Sequence, residues 1–481
     1  MISYPNLSLP RFTLLDRSQC AAIHHASLEI LRRTGVRVYH REALELLRGT
    51  DAIITDENLV RMPPGLVEWA LAQAPSRVVL CKRGSHEAAA RLEDDVVNFG
   101  PGSDCPNYLD PRTGEHRPFT TADVIDCVRL VDALPELQFV MSMGIPSDLG
   151  AMNVYRQQAA LMIEHTTKPM VFVCDDRADC EAIVAMAAAA AGGADALRLN
   201  PTLLLYSEPS TPLKHTETAT GKLLFMAEAG LPILHSPAPM MGGTAPVTLA
   251  GGVALGNAEV LSSLVLHQLK RPGAPFVYSV QVHHMDMKTT ISVYGAPEYQ
   301  LGRALSAAMG RFYHLPIWGN AGMSDSCAFD EQAALDATFS VLMALLTGTH
   351  LAHDVGYLEG GLTTSPEMIV LTDEIISMMR TFVNGVVLDA EALALEVIHA
   401  VGPGGDFLTH KHTLKHFREL WQPTLISRQR FEDWTASGSK RMADRVREKT
   451  RSIIESHRPA PLPDRVRDEI AYILQADRVP A

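Results

Sequence analysis

The chain alternates short apolar runs with longer amphipathic stretches, and it does so eight times. Each run is followed by small, polar or charged residues and then by a stretch with helical spacing of its apolar positions. The runs, which we expect to be strands, are residues 96–99, 137–143, 170–174, 202–206, 232–235, 275–280, 315–318 and 351–355. The clearest helical stretches are residues 121–134, 152–165, 179–191, 215–229, 297–311 and 328–347. The pattern predicts a repeated strand–helix unit.

Continuous apolar strands between amphipathic helices are typical of a parallel sheet that is covered by helices. Eight such units within the usual size of one domain predict an α/β fold of the (β/α)8 TIM barrel type. An open doubly wound sheet is the alternative, but neither GxGxxG at a first turn nor GxxxxGK[ST] occurs, so its nucleotide-binding versions are not supported. We expect a mainly helical N-terminal extension at 1–90, the barrel at 91–385 and a helical C-terminal extension at 386–481.

Composition and charge describe a globular chain and disfavour some partners. The 481 residues are 47% hydrophobic and carry a net charge of -13, which repels phosphate backbones and anionic lipids. We therefore expect no nucleic acid and no membrane as partner. The longest nearly charge-free stretch, 231–257, is interrupted by prolines and predicts no membrane span. No charged segment followed by an apolar run opens the chain, and the seven cysteines form no CxxC pair, so we expect a cytoplasmic protein with reduced thiols.

Barrels of this type hold their active sites at the carboxyl ends of the strands, so the residues that follow each run are the candidates. The polar residues there include Glu208, His353 and Asp354. The narrower set that we expect to bind substrate is Asp104, Tyr108, Tyr206, Gln281, His283, Tyr294, Trp318, Asn320, Asp325, Ser326, His350 and Glu359. No residue is assigned as a catalytic acid, base or nucleophile.

Two features of this set indicate the charge of the ligand. Aromatic residues make up only 6% of the chain, yet several fall at predicted strand ends, and aromatic faces attract quaternary ammonium groups by roughly 0.5–2 kcal/mol per contact. Asp325 or Ser326 is expected to cap the helix at 328–347, and Gly348 to end it. The N–H groups at that helix start could hold a substrate carboxylate, with simple capping as the alternative.

The histidines near strand ends leave a metal-dependent hydrolase or lyase open as an alternative. His235, His283, His284, His350 and His353 would converge at the barrel mouth, but zinc ligands are usually closely spaced or include thiolates. His283 and His284 are neighbours on a strand, so their side chains point to opposite faces. We expect no tightly bound metal.

Four segments carry a family resemblance: FGPGSDCPNYLDPRTGEHRPFTTADV at 99–124, YGAPEYQLGRA at 294–304, GMSDSCAFDEQAA at 322–334 and GTHLAHDVGYLEGGLTTSPEMIVLTDEI at 348–375. They resemble the trimethylamine:corrinoid methyltransferase family over most of the chain. The resemblance implies a (β/α)8 barrel and transfer of a methyl group from a methylated amine to the Co(I) corrinoid (cobalamin) of a separate carrier protein. The DxHxxG signature of such carriers is absent, which fits an enzyme that borrows its cofactor.

One departure from the family pattern bears on the substrate. The trimethylamine enzymes carry pyrrolysine in a region that aligns near 319–327, where only standard residues stand here. The resemblance therefore implies a non-pyrrolysine member that demethylates a quaternary amine. Glycine betaine, giving dimethylglycine, is the leading substrate, and proline betaine, carnitine and gamma-butyrobetaine are alternatives. A betaine-binding sensor without catalysis is a further possibility.

For glycine betaine, position in the barrel suggests roles for the candidates. The rings of Tyr108, Tyr206 and Trp318 would surround the trimethylammonium group, and His350 or the helix start at Asp325 and Ser326 would meet the carboxylate. Gln281, His283, Asn320 and Glu359 would orient the substrate. A quaternary nitrogen already carries its charge and leaves as a neutral amine without a proton donor, which predicts a site without a catalytic triad. We expect a homo-oligomer.

Overall fold

Helices and strands alternate along residues 10–150 and 153–476, which are the part of the chain that the computed structural model describes. The helices are α1 (Arg17–Glu29), α2 (Arg41–Arg48), α3 (Pro64–Gln73), α4 (Thr121–Ala133), α5 (Val154–His165), α6 (Arg177–Ala191), α7 (Ala194–Leu199), α8 (Glu217–Ala229), α9 (Leu249–Lys270), α10 (Pro297–Phe312), α11 (Glu331–Thr347), α12 (Pro366–Val383), α13 (Ala390–Leu393), α14 (Leu395–Val401), α15 (Lys411–His416), α16 (Phe431–Ala436), α17 (Met442–Ser456) and α18 (Asp464–Ala476). The strands are β1 (Val36–Val38), β2 (Ile53–Thr55), β3 (Leu59–Arg61), β4 (Val78–Cys81), β5 (Ala88–Leu92), β6 (Asn98–Phe99), β7 (Asn107–Leu109), β8 (His116–Pro118), β9 (Met170–Phe172), β10 (Leu203–Ser207), β11 (Lys214–His215), β12 (Ile233–His235), β13 (Phe276–Val277), β14 (His284–Met285), β15 (Ser292–Val293), β16 (Trp318–Asn320), β17 (Leu351–His353), β18 (Tyr357–Leu358) and β19 (Thr363–Thr364). The expected combination of helices and strands is confirmed as a mixed α/β fold.

A ladder of parallel pairs runs through the strands that the apolar runs predict. It joins β9 to β10, β10 to β12, β12 to β13, β16 to β17, and β17 to β6. Isolated parallel bridges continue it from Phe99 to Leu137, from Val140 to Met170 and from Tyr278 to Ile317. Each of the eight runs contributes residues to this ladder, which begins at β6 and returns to it.

Helix positions follow the amphipathic stretches to within a few residues. The stretch at 152–165 contains α5, which begins at Val154, and residue 152 itself lies outside the described residues. Capping explains several of the bounds: α6 begins after Asp176, whose side chain accepts from the Asp179 amide, and it ends at Gly192 with φ 89°.

The expected cap of α11 by Asp325 or Ser326 is wrong. The helix begins at Glu331, and its N-cap is Asp330, whose carboxylate accepts from the Ala333 amide. The carboxylate of Asp325 is used elsewhere, and the hydroxyl of Ser326 donates to Asp330 over 2.9 Å. Gly348 ends the helix with φ 67°, as expected. Since Asp330 accepts at the helix start, the expected anion site at Asp325 and Ser326 does not form there.

The β4–β5 hairpin covers the amino ends of the parallel strands. The amide of Cys81 donates to the Pro201 carbonyl just before β10, and the Arg83 amide donates to the Thr167 carbonyl just before β9. Apolar side chains of the hairpin pack with the inward-facing side chains of the ladder in one buried cluster: Val78, Leu80, Ala90, Leu92, Phe139, Met141, Val171, Leu204, Leu234, Val277, Trp318 and Leu351. The amino end of the ladder is thereby filled, and the carboxyl end is left for a site.

Helix α9 is the longest helix in the described residues and packs against α1, α3 and α8. By length and composition it is the one described helix that could cross a membrane, but 78% of its most apolar window is buried inside the structure. Such burial is typical of a core helix. Farther along the chain, α17 packs on α12 and α4, and α18 packs on α6.

Candidate active site at the carboxyl ends of the strands

The side chains on the inner face of the ladder are apolar near the amino ends of the strands and aromatic or polar near the carboxyl ends. Because side chains alternate between the two faces of a strand, Leu204 and Tyr206 of β10 share one face, as do Trp318 and Asn320 of β16. The members nearer the amino ends belong to the buried apolar cluster described above, with Tyr206 packed against it. The members nearer the carboxyl ends are aromatic or polar and form the candidate site.

Three rings meet at the boundary between the apolar cluster and the site. The ring centroids of Tyr206 and Trp318 are 5.8 Å apart, those of Tyr206 and His353 are 5.7 Å apart, and those of Trp318 and His353 are 4.6 Å apart. Trp318 is fully buried, whereas Tyr206 keeps part of its surface accessible. We call these three residues the ring group.

A chain of hydrogen bonds continues from the ring group across the neighbouring strands. The Gln281 amide donates to the Tyr206 hydroxyl over 2.9 Å, and the Asn320 amide donates to the Gln281 carbonyl over 3.3 Å. The carbonyl oxygen of Asn320 accepts from Arg303 over 3.0 Å, and its amide donates to Asp354 over 2.5 Å. This network fixes the amide orientations at the base of the site.

Glu208, which follows β10, lines a recess at the carboxyl ends of the strands. Its carboxylate accepts from the Tyr206 hydroxyl, and the residue is exposed, yet desolvation by the surrounding protein raises the pKa of its carboxyl. A side chain that water reaches but that protein surrounds lines a concavity. Desolvation likewise raises the pKa of the Tyr206 hydroxyl well above its ordinary value, so the phenol is the proton donor of the pair.

His353 and Asp354 form a buried pair beside the ring group, with His353 Nε2 3.1 Å from Asp354 Oδ1. Burial lowers the pKa of His353 and raises the pKa of Asp354. Both shifts favour the neutral forms. His353 Nδ1 lies 2.9 Å from the Gly319 carbonyl oxygen, which suits a donor at that atom.

A second aromatic group lies beside Arg303 of this network. His283, Tyr294 and Tyr299 have ring centroids 5.0 to 5.6 Å apart, and the guanidinium of Arg303 lies 4.7 Å from the Tyr299 ring centroid. Burial lowers the pKa of His283 to about 3, so this imidazole is neutral near pH 7. Asp325 accepts from the amides of Tyr294 and Gly295 over 2.8 and 2.7 Å, and it therefore positions the Tyr294 segment.

Asp104 follows β6 in the left-handed conformation, with φ 68°. Desolvation raises the pKa of its carboxyl to about 6, and the negative charges of Glu208 and Asp175 add to this effect. Its Oδ1 atom is buried and has no hydrogen-bond partner within the described residues. Asp104 thus lies near the recess but outside the hydrogen-bonded network.

Four expected residues take part in other contacts. The phenol of Tyr108 is buried against Phe119 and stacks under Arg117. His350 precedes β17 and contacts the Ile317 amide and the Asp94 carbonyl at the amino ends of the strands. Glu359 accepts from the Thr363 hydroxyl over 2.6 Å, and Ser326 donates to Asp330 as described above. The structure therefore groups Tyr206, Gln281, His283, Tyr294, Trp318 and Asn320, and it places Tyr108, Ser326, His350 and Glu359 outside that group.

Two residues of the site, Tyr299 and Arg303, were not predicted from the sequence. Three others, Glu208, His353 and Asp354, were noted as polar residues after strands but were not among the expected substrate-binding residues. Tyr299 and Arg303 lie one turn apart on α10, and no feature of that helix distinguished them from its packing residues. Glu208 and Asp354 were among the polar residues after strands. His353 could have been selected by the two-residue alternation from Leu351, which faces the apolar cluster.

The histidines considered as metal ligands do not assemble. Among residues 10–150 and 153–476, no group of three or more His, Cys, Asp or Glu side chains is arranged to hold a metal ion. His235 lies on the other face of β12 and stacks on His215, with ring centroids 6.5 Å apart.

Comparisons with known proteins cover nearly the whole chain. A family model described as trimethylamine methyltransferase (MTTB) matches residues 2–478. A trimethylamine methyltransferase of Desulfitobacterium hafniense (strain DCB-2) is 32% identical over 457 residues, which are 94% of this chain and 92% of that protein. A glycine betaine methyltransferase of Desulfitobacterium hafniense (strain Y51) is 31% identical over 429 residues, 89% of each chain.

A solved structure shares the fold. The monomethylamine methyltransferase of Methanosarcina barkeri superimposes with a TM-score of 0.52 over 92% of this chain and 88% of that one, at 14% sequence identity.

Proposed function

The chain belongs to the trimethylamine methyltransferase (MTTB) family, and from this membership we propose that it transfers a methyl group from a quaternary amine to the Co(I) corrinoid of a partner protein. The proposed substrate is glycine betaine, which leaves as dimethylglycine. A relative named glycine betaine methyltransferase, 31% identical to this chain, supports that choice of substrate. The corrinoid is a co-substrate carried by another protein and not a resident group.

We also propose that the parallel ladder is a (β/α)8 barrel with helical additions at both ends. Support comes from its pairing, which leads from β6 through eight segments and back to β6 by way of β17. Helices follow most of these segments, and the site residues follow the same ends of the strands. A barrel mouth is where catalytic groups of this architecture lie.

The observation that carries the proposed function is the combination of the ring group with Glu208. A quaternary ammonium group has no N–H to donate, so a site stabilises it through aromatic faces and negative charge, both of which act more strongly where water is excluded. Tyr206 presents such a face, the buried Trp318 ring packs against Tyr206 with centroids 5.8 Å apart, and Glu208 adds a carboxylate next to the Tyr206 hydroxyl. Each such ring contact contributes roughly 0.5–1 kcal/mol at an exposed site and about 2 kcal/mol when it is desolvated.

The protonation states at the site agree with the chemistry of such a substrate. When the methyl carbon is transferred, the electron pair of the breaking carbon–nitrogen bond stays on nitrogen, and the amine leaves neutral. No proton has to be supplied, and burial keeps His283 and His353 unprotonated near pH 7. The side chains of the site would orient the methyl group and exclude water.

The carboxylate of a betaine requires a counterpart other than those expected from the sequence. His350 lies at the amino ends of the strands, and Asp325 accepts backbone hydrogen bonds. Positive charge near the network comes from Arg303, which holds Asn320 and has its Nε without a hydrogen-bond partner within the described residues. We propose that the substrate carboxylate points toward Arg303 and the trimethylammonium group toward Glu208.

The test is a spectrophotometric assay of the purified protein with Co(I) cobalamin or a cognate corrinoid protein. Glycine betaine, proline betaine, carnitine, gamma-butyrobetaine and trimethylamine are compared at equal concentration. We expect the highest rate with glycine betaine. A higher rate with another betaine would correct the substrate, activity with trimethylamine alone would overturn the proposal, and saturable binding without methyl transfer would indicate a sensor.

A further inference from the structure

Residues 384–424 leave the body of the protein as an excursion from helix α12, and we call this segment the arm. It starts after Val383, the last residue of α12, and it returns where the amides of Thr424 and Leu425 donate to Glu374 of the same helix over 2.8 and 2.9 Å. Val383 and Leu425 are buried, but no residue between them is. The arm therefore has both ends anchored and no core of its own.

The arm exposes many large apolar side chains. Leu408 is 82% exposed, Val386 74% and Leu414 72%. The others are Val387, Leu388, Leu393, Leu395, Ile398, Phe407, Phe417 and Leu420, with exposures from 43% to 67%. Summed over these separate side chains, the accessible surface is on the order of 1,000 Å², and large exposed apolar areas are typical of interaction sites.

The arm is nevertheless a folded segment. It contains the helices α13, α14 and α15, which are too short to persist in water without packing partners. Within the arm, Lys415 and His416 pair with Glu391, and the Thr413 hydroxyl donates to the Phe407 carbonyl over 2.6 Å. Short helices with ordered polar contacts and exposed apolar side chains indicate a surface that is covered in the assembled protein.

Either a second copy of this chain or the corrinoid carrier protein could cover the arm, and the position of the arm decides between them. Helix α12 begins near the candidate site, where the Ser365 amide donates to the Gly356 carbonyl, and its last turn lies at the amino ends of the strands, where Arg380 Nη2 donates to the Val97 carbonyl over 2.8 Å. Its 18 residues extend for about 27 Å. The arm thus emerges at the amino end of the ladder. The recess is at the opposite end, and a protein that carries the methyl acceptor has to approach the recess.

We propose that the arm is the interface with a second copy of this chain. The summed exposed area is of the same order as the roughly 800 Å² per partner that a stable interface of standard size buries. An obligate interface between identical chains is more apolar than a transient one, which suits the arm, and it leaves the site end of each copy free for its partner protein. The choice of a second copy over the carrier protein rests on the proposed function, whereas the apolar surface of the arm and the measurement of mass do not depend on it.

The test measures mass in solution by sedimentation equilibrium on the full chain. We expect the wild-type protein to have the mass of two or more chains at micromolar concentration and the Leu408→Glu/Leu414→Glu variant to have the mass of one. The matched control is Leu199→Glu, which places the same charge at a leucine that is 75% exposed on α7, outside the arm, and it should retain the wild-type mass.

A second measurement covers the case in which the double variant does not fold. Hydrogen exchange of wild-type amides in 395–401 and 411–416 should slow as protein concentration rises, whereas amides of α11 should not change. A monomeric wild-type protein, or an oligomer that the double variant leaves intact, overturns the proposal. So does a monomer whose arm becomes protected only when the corrinoid carrier is added, because the carrier would then be the occupant.

Discussion

The side-chain amide of Gln281 donates to the hydroxyl of Tyr206 over 2.9 Å, and this bond joins the segment that follows β13 to the carboxyl end of β10. The same hydroxyl donates to Glu208, so the phenol is held between an amide and a carboxylate. Its ring is thereby fixed against Trp318. The proposed ammonium site depends on this arrangement.

Replacement of Trp318 by phenylalanine tests the ring group. Trp318 is buried, so it acts on the substrate by holding the Tyr206 ring that packs against it, and Trp318→Phe keeps an aromatic ring there but holds Tyr206 less firmly. A loss of about 1 kcal/mol raises the KM for glycine betaine roughly fivefold. The free energy of unfolding should fall by about 1–2 kcal/mol because the buried side chain becomes smaller. Trp434→Phe, in α16 far from the site, is the control and should leave KM unchanged.

Glu208 should set the acid limb of the pH profile. Desolvation raises the pKa of its carboxyl, so the anionic form that attracts the substrate is lost at a higher pH than for an ordinary glutamate, whose pKa is about 4.3. The quaternary nitrogen does not titrate. We expect kcat/KM to fall as pH decreases through this raised pKa, and Glu208→Gln to lower kcat/KM about tenfold at pH 7 and flatten the limb. An unchanged limb in Glu208→Gln would assign it to another group.

Asp104 should make stability depend on pH. Its pKa is raised to about 6 in the folded protein, compared with 3.8 in the unfolded chain, so the folded state binds the proton more tightly. The resulting stabilisation is complete below pH 3.8 and is lost as pH rises through about 6. Asp104→Asn should therefore increase the free energy of unfolding at pH 8 by up to about 3 kcal/mol, and by about half as much at pH 5. Denaturant unfolding at both pH values measures this, and an equal gain at both would contradict it.

The backbone at Gly102 lies directly against the side chains of Tyr357 and Asp354. A Cβ at this position would overlap the Tyr357 hydroxyl and approach Asp354 Oδ1 to 2.7 Å. Gly102→Ala should lower the free energy of unfolding by about 2 kcal/mol and reduce kcat, because Asp354 is displaced from Asn320. Gly65→Ala is the control: no atom lies within 4 Å of its added Cβ, and its stability should change by less than about 1 kcal/mol. Thermal unfolding and the methyl-transfer assay compare the two variants.

Periodicity along the chain predicted much of the fold because the relevant signal is local. Each apolar run, from 96–99 to 351–355, contributes to the ladder, since a strand buried on both faces has to be apolar throughout. Helix ends were less predictable where several capping residues compete. Asp325, Ser326 and Asp330 can each cap a helix, and contacts to Tyr294 and Gly295, which are distant in sequence, engage Asp325 and leave Asp330 as the cap.

The candidate site was only partly predictable for a similar reason. A rule based on strand ends selects Tyr206, Gln281 and Asn320, but it also selects His350, which lies at the other end of its strand. When the position of a strand is predicted wrongly by one residue, each of its side chains is assigned to the opposite face of the sheet. When it is wrong by a few residues, a residue at the amino end of the strand is assigned to the carboxyl end.

The order of strands and helices, the family resemblance and the aromatic and polar character of the strand ends were determined by the sequence itself, because each depends on residues that are close along the chain. Tertiary structure alone decided which side chains meet: Arg303 of α10 reaches Asn320 of β16, and Asp354 joins them from the segment after β17. It also decided that the apolar residues of the arm remain uncovered within one chain. Both outcomes depend on contacts between distant segments, which no local pattern contains.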